Sequence, residues 1–264
     1  MSAVDYPGLL RLDGRVHAVV GVGPGIGRET ALALAAAGAR VVCVDLDADQ
    51  AAAVAAETGG VAATCDITAP GGFARVLADA ERELGRVDGV TDVVGLVRWK
   101  PLADTADDDW VWQSEVVAAQ AVRVVRAAVP HLRRSGGGVL TFIASVSAFT
   151  SAPGHGLYGM AKAALLSMVR TAAVELGPVG IRVNAVSPGA TLTPRLAGDP
   201  RFAAAIRENS ERTPLRRIAR PSDVAGAVLF LSSPLAGHVT GQDLVVDGGL
   251  TNSWPLAQPE HAAG

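Results

Sequence analysis

Tyr158 and Lys162 lie one helical turn apart in the stretch LYGMAKAAL, residues 157–165. Side chains at i and i+4 project from one face of a helix, so the phenol and the ammonium share a neighbourhood. A free phenol, with a pKa of about 10, is a poor base. A cation beside it favours phenolate, which makes tyrosine usable for moving a proton near neutrality. Thirteen residues before Tyr158 stands Ser145, just past the apolar run GVLTFIA (138–144). A hydroxyl at such a strand end can hold a carbonyl or alcohol oxygen. Taken alone, a tyrosine and a lysine at this spacing are more often surface decoration. The serine before them, and a glycine loop further upstream, make the set specific.

That loop follows the first strand-like run directly. GVGPGIGRET (21–30) carries Gly21, Gly23, Gly25 and Gly27. Glycines at a strand-to-helix turn permit the tight bend and let backbone N–H groups approach a pyrophosphate at the helix N-terminus. Asp45 closes the second strand-like run, RVVCVD (40–45), where a carboxylate accepts hydrogen bonds from adenosine ribose hydroxyls. A carboxylate there also repels a 2′-phosphate, and the residue after it is Leu46, not an arginine. This charge argument favours NAD(H) over NADP(H). A solvated strand-end acid is the plainer reading of Asp45, and the loop before it weighs against that reading.

The elements that must hold these groups alternate along the chain. Strand-like runs are VHAVV (16–20), RVVCVD (40–45), VAATC (61–65), GVTDVV (89–94), GVLTFIA (138–144), IRVNAV (181–186) and DLVV (243–246). Helical patterns lie between them, among them RETALALAAAGA, FARVLADAERELG, VVAAQAVRVVRAAVPHL and AKAALLSMVRTAAVELG. Strands that are apolar throughout, separated by helix-length segments, indicate a parallel sheet covered on both faces. That is α/β, a Rossmann-like doubly wound sheet, whose ligands bind at the carboxyl ends of the strands. The rhythm is unbroken from about residue 14 to 250, so residues 1–264 read as a single domain. The stretch 190–220, rich in proline and arginine, reads equally well as a cap over a site or as a long surface connection. The tail 251–264 reads as a loose end or an oligomer contact.

Composition excludes several function classes. The 264 residues are 49% hydrophobic and 19% charged, as in a compact soluble protein. A net charge of −3 without a basic block makes nucleic acid a poor partner. Apolar runs are short and broken by charge or glycine, which argues against a membrane span. The opening MSAVDYPGLLRLDG lacks the basic start and apolar core of a secretory signal, so the expected location is cytoplasmic. Cys43 and Cys65 fall in strand-like segments and read as buried free thiols; neither has a metal-ligand spacing, and no metal site is expected.

The set as a whole resembles the short-chain dehydrogenases/reductases of the classical type. The resemblance covers about residues 12–250 and rests on GVGPGIG, Asp45, CDIT (65–68), the Ser145/Tyr158/Lys162 set, IRVNAVSPG (181–189), Thr193 and VTGQDLVVDGG (239–249). It implies Tyr158 as catalytic acid/base, Lys162 as the group that lowers its pKa and holds the nicotinamide ribose, and Ser145 as the group that orients the substrate oxygen. Cofactor contacts are implied at Gly21, Gly23, Gly25, Ile26, Gly27, Asp45 and Leu46. Asp66 and Ile67 fall where the family contacts adenine, and Pro188, Gly189, Thr191 and Thr193 fall beside the nicotinamide, Thr193 on its carboxamide. The implied reaction is NAD(H)-dependent interconversion of a small-molecule secondary alcohol and ketone by hydride transfer. The rival within the class is an NADP(H)-dependent ketoreductase of 3-oxoacyl thioesters; the rival outside it is a cofactor-binding relative without catalysis. The family also implies a homotetramer, with a dimer as the alternative, packed through helices at about 109–134 and 157–177.

Three positions depart from that pattern. Val20 replaces the threonine that opens the family's loop, and Asp92-Val93-Val94-Gly95 replaces Asn-Asn-Ala-Gly. Val117 stands where the family carries a catalytic asparagine; Ser114, one turn earlier, is the candidate for a rebuilt proton relay. Positions expected to face substrate are Leu96, Arg98, Trp99, Val146, Ser147, His155 and the segment 190–212. Leu96 and Trp99 point to an apolar wall, and to a cyclic or otherwise apolar alcohol or ketone.

Overall fold

The β-branched runs become strands that bury both faces, and the alanine-rich segments become the helices that cover them. The computed structural model describes residues 4–253. Its strands are β1 (Val16–Val20), β2 (Arg40–Asp45), β3 (Val61–Thr64), β4 (Gly89–Asp92), β5 (Gly138–Ile143), β6 (Ile181–Pro188) and β7 (Asp243–Val246). All neighbouring pairs are parallel, in one seven-stranded sheet of order β3-β2-β1-β4-β5-β6-β7. Strand order reverses between β1 and β4, which opens a crevice at their carboxyl ends.

Alternation along each strand sends side chains into two cores. Val16, Ala18 and Val20 of β1, with Val42 and Val44 of β2, meet α3 (Gly72–Leu84), α5 (Gln120–Arg134) and α6 (Gly156–Leu176). Val19, Val41 and Cys43 point the other way, onto α1 (Ile26–Ala36) and α2 (Ala48–Thr58). On that same face Ile143 and Val186 pack under α9 (Pro221–Ser232). This two-sided burial is why the strands read as continuously apolar.

Boundaries moved where a side chain bent the backbone. The strand expected to reach Val94 stops at Asp92, whose Oδ1 accepts the Val94 N–H at 3.0 Å and turns the chain. β6 runs past Val186 to Pro188, because β7 extends the ladder there. The long helix expected from about 109 is interrupted: α4 (Asp107–Ser114) and α5 are joined by a π turn, Glu115–Ala119, centred on Val117. Segment 190–220 holds two short helices, α7 (Pro194–Ala197) and α8 (Ala203–Arg212). Residues 254–264, which hold most of the tail read as loose or as an oligomer contact, lie outside the described residues. Cys43 and Cys65 are buried and free. Among the described residues no helix is long and apolar enough to cross a membrane, and no cluster of metal-ligating side chains occurs.

Candidate active site

The glycine loop fills the turn between β1 and α1. Gly21 and Gly25 sit at φ +84° and +136°, where a side chain would be strained. Gly27 is required for another reason: a Cβ there would lie 1.8 Å from the carbonyl oxygen of Gly21, so the first turn of α1 rests on the loop's own backbone. Gly27→Ala is expected to push the loop open, weakening nicotinamide-nucleotide binding in a fluorescence titration and costing about 1–3 kcal/mol of stability.

Asp45, at the end of β2, accepts the Gly23 N–H on Oδ2 at 3.0 Å and the Asp47 N–H on Oδ1 at 3.1 Å. Leu46 beside it is 70% exposed. Past β3, Asp66 Oδ1 accepts both the Thr68 N–H and its hydroxyl, which hold the Asp66 carboxyl below its ordinary range; Ile67 is buried. Past β6, the Thr191 hydroxyl donates to the Gly189 carbonyl at 3.1 Å, and Gly189 packs too tightly against Asp247 to accept a Cβ. Thr193 caps α7 through the Leu196 N–H and brings its methyl over Gly25. The loop with Ile26, the Asp45–Leu46 and Asp66–Ile67 pairs and the Pro188–Thr193 turn thus share the carboxyl edge of the sheet. A cradle of backbone N–H groups that a Cβ would fill, with a carboxylate one strand away, fits a nicotinamide dinucleotide.

Ser145 lies two residues beyond β5, and its Oγ accepts the Ser147 N–H at 3.1 Å in the short turn Val146–Ala148. α6 packs its first turn on that segment, with Gly159 against the Ser147 carbonyl. Further along, Ala161, Leu165, Leu166 and Val169 form the buried stripe of α6, and Lys162 is buried among them. Its ammonium donates to the Ile143 carbonyl at 2.5 Å and stands 5.6 Å from the centre of the Tyr158 ring. Gly95, the residue retained from the family's tetrapeptide, leaves that space open: a Cβ there would come within 2.8 Å of Nζ.

Burial acts on both groups. It pushes the Tyr158 phenol up to about 12, with the Ser145 hydroxyl pulling the other way, and pushes Lys162 down to about 8, with the Asp92 charge opposing. The easy phenolate expected from the Tyr–Lys spacing is therefore not a property of the chain alone, since the lysine is turned to Ile143 and desolvation of the phenol outweighs it.

The three departures have structural outcomes. Val20 is a buried core residue of β1. Asp92 is buried at the end of β4, its Oδ2 accepting the Gln120 side-chain N–H at 2.8 Å while Oδ1 holds Val94. Burial pushes its carboxyl up to about 6, against those two hydrogen bonds and the Lys162 charge. Val117 is fully buried and packs with Val116, Ala161, Trp112 and Tyr158, so carbon occupies the asparagine's place. The Ser114 hydroxyl donates to the Val111 carbonyl at 3.1 Å, back into its own helix. Gln120 was missed in the sequence, although a lone amide in VVAAQAVRVV is the signal for it. Gln113 was missed too: it pins the post-β4 segment through the Leu96 carbonyl and the Arg98 N–H.

Beside Ser145 opens a cavity of about 500 Å³, with Trp99, Ser147 and His155 on one wall and Leu196, Phe202 and Ile206 on the other. Another, of about 540 Å³, sits outside the glycine loop, and neither Ser145 nor Tyr158 lines it. Val146 lines the cavity at Ser145, whereas Leu96 is exposed and lines no part of it. Arg98 is occupied elsewhere, lying 4.0 Å over the Trp112 ring and 3.3 Å from Asp109.

A family model described as enoyl-(acyl carrier protein) reductase matches residues 21–251. The 7alpha-hydroxysteroid dehydrogenase of Escherichia coli (strain K12) is 37% identical over 247 residues, 91% of this chain and 95% of the relative. A solved structure of 7alpha-hydroxysteroid dehydrogenase complexed with NADH and 7-oxo glycochenodeoxycholic acid superposes with a TM-score of 0.86 at 36% identity, covering 94% of this chain and 98% of the other. A short-chain type dehydrogenase/reductase from Mycobacterium marinum gives a TM-score of 0.88 at 30% identity over 94% of this chain and 99% of its own. With a family model matched over residues 21–251 and relatives alike over nine-tenths of both chains, the chain belongs to the classical short-chain dehydrogenases/reductases.

Proposed function

We propose that the protein is an NAD(H)-dependent oxidoreductase interconverting a secondary alcohol and a ketone, with Tyr158 as the acid/base. The observation that carries this reading is the meeting of Ser145, Tyr158 and Lys162 at the carboxyl end of β5, one crevice away from the glycine cradle. Oxidised nicotinamide, when bound, accepts a hydride from the carbinol carbon. Tyr158 takes the hydroxyl proton, Ser145 holds the oxygen, and the charged Lys162 favours the phenolate that does so. Hydride and proton together leave a ketone, and the same groups return them in the reverse direction.

Asp45 supports the choice of NAD. Leu46 offers no charge to a 2′-phosphate, and the nearby Arg28 is already paired with Glu57 and Glu29. The mostly carbon-lined cavity suits a rigid apolar ring, in keeping with relatives named for hydroxysteroids. Exposed Trp110 and Val111 on α4, Val122 on α5, and Met160 and Val174 on α6 fit a homo-oligomer packed through those helices.

The test is a panel of cyclic secondary alcohols with NAD⁺ and NADP⁺, and of ketones and 3-oxoacyl thioesters with the reduced forms. Formation of reduced nicotinamide, faster with NAD⁺, is expected. Preference for NADP⁺ and the thioesters would replace this reading with a ketoreductase, and tight nucleotide binding without turnover would make the protein a non-catalytic relative.

A further inference from the structure

His155 stands at the N-terminal boundary of α6, three residues before Tyr158, with its ring edge-on to the phenol at 5.7 Å between centres. Its Nδ1 lies 3.1 Å from the Ser147 hydroxyl, on the turn that begins at Ser145. Its Nε2 is buried and has no hydrogen-bond partner. The indole of Trp99 packs against the imidazole at 4.0 Å between ring centres, tilted by 48°, and lies 6.4 Å from the Phe202 ring. His155, Ser147, Trp99 and Phe202 line the cavity beside Ser145, and Tyr158 lies behind His155.

A buried ring nitrogen without a partner is a penalty that the fold does not offset with its own residues. Burial also holds the imidazole below its ordinary pKa, so it is neutral at physiological pH. In the neutral ring the two nitrogens have opposite roles, and the Ser147 hydroxyl serves either tautomer because it both donates and accepts. Nε2 is covered in the structure, so it can offer an N–H or a lone pair to a ligand that displaces part of its cover. Leu196, Phe202 and Ile206 give the cavity carbon, while Asn209 and Arg212 of α8 and Thr150, Ser151 and Thr251 add polar groups to it. Among these polar side chains His155 is the one in ring contact with the phenol, which suits it to orient a ligand there.

We propose that His155 reads a second oxygen on the substrate, and that the compound turned over is an apolar ring alcohol or ketone with a further hydroxyl or carbonyl on the adjacent or next-but-one carbon. The inference rests on the redox reading given above. The two rings are in edge contact, 5.7 Å between centres, so a substrate oxygen held at Tyr158 would bring its neighbouring carbons, and any oxygen on them, past the imidazole. Trp99, 57% exposed, tilts away as that oxygen takes its place against the imidazole.

Cyclohexanol and trans-1,2-cyclohexanediol are the probes, with NAD⁺, on the unmodified enzyme and on His155→Phe and His155→Gln. The diol is expected to exceed the mono-alcohol in kcat/KM on the order of tenfold. His155→Phe, which keeps a stacking ring, should erase that preference through KM for the diol and leave the KM of cyclohexanol in place; His155→Gln should restore part of it. Equal kcat/KM for the two alcohols in the unmodified enzyme, or an equal loss of kcat for both in His155→Phe, would overturn the proposal. Calorimetric titration of the diol into NAD⁺-loaded Tyr158→Phe enzyme separates recognition from chemistry. Saturable binding that His155→Phe removes supports the proposal, even if the unmodified enzyme turns over neither alcohol and the redox reading falls. Turnover of both alcohols without selectivity removes the proposal and leaves the redox reading. Absence of both binding and turnover removes both.

Discussion

Tyr158→Phe is expected to lower turnover about a thousandfold while leaving nucleotide binding and the thermal midpoint close to those of the unmodified protein. The substitution keeps the ring that packs with Val117 and Ala161 and deletes one oxygen. In the proposed mechanism that oxygen exchanges the substrate's proton, with the Lys162 ammonium turned to the Ile143 carbonyl. The magnitude follows from losing a positioned proton acceptor, with hydride geometry and oxygen binding left in place. Stopped-flow absorbance of reduced nicotinamide, beside a nucleotide titration, checks both halves. Retention of most of the turnover would mean that another group moves the proton.

The second large effect concerns Asp92 and has opposite signs for stability and for activity. The Asp92 carboxyl, raised to about 6, binds its proton more readily in the folded chain than in the unfolded one. Stability from this group is therefore present at low pH and lost as pH rises through about 4 to about 6. Lys162, lowered to about 8, works the other way: the folded chain is penalised below that value and recovers as the amine loses its proton. Between about 6 and 8 both groups are ionised, and each eases the other's burial.

Asp92→Asn removes the buried anion, and the Gln120 amide can turn to present its unpartnered Oε1 to the new side-chain N–H. Stability at pH 7.5 should rise by less than about 2 kcal/mol, seen as a modestly higher urea midpoint, because the relief of burying the Asp92 charge is offset in part by the loss of the charge that eases the burial of Lys162. Without its neighbour, Lys162 becomes easier to deprotonate, so the alkaline limb of kcat should move toward acid and turnover at pH 7.5 should fall about tenfold. Near pH 6, where Asp92 is already half protonated, the two enzymes should converge. A uniform loss at every pH would show that Asp92 only braces the sheet.

The strands were legible because burial on both faces of the inner five leaves them few polar positions, and the order of motifs pointed to the sheet's carboxyl edge as the candidate site. Ser145, Tyr158 and Lys162 were found because chemistry restricts their types and spacing. Events set by contacts distant in sequence were not legible. The π turn at Glu115–Ala119 depends on how Val117 packs against α6, the early end of β4 depends on where the Asp92 carboxylate turns, and the Gln120–Asp92 bond spans 28 residues. Spacing along a helix says that a lysine is near the phenol but not which oxygen its ammonium takes, and here it takes the Ile143 carbonyl.

Asp45 holds two backbone N–H groups, one on the glycine loop and one at Asp47. Nucleotide preference is consequently not a modular trait of this chain. Under the proposed preference for NAD, a charge change at position 45 alone also removes the loop's tether, so a path toward the phosphorylated nucleotide that keeps binding acquires a replacement tie elsewhere in the turn first and the change at position 45 second.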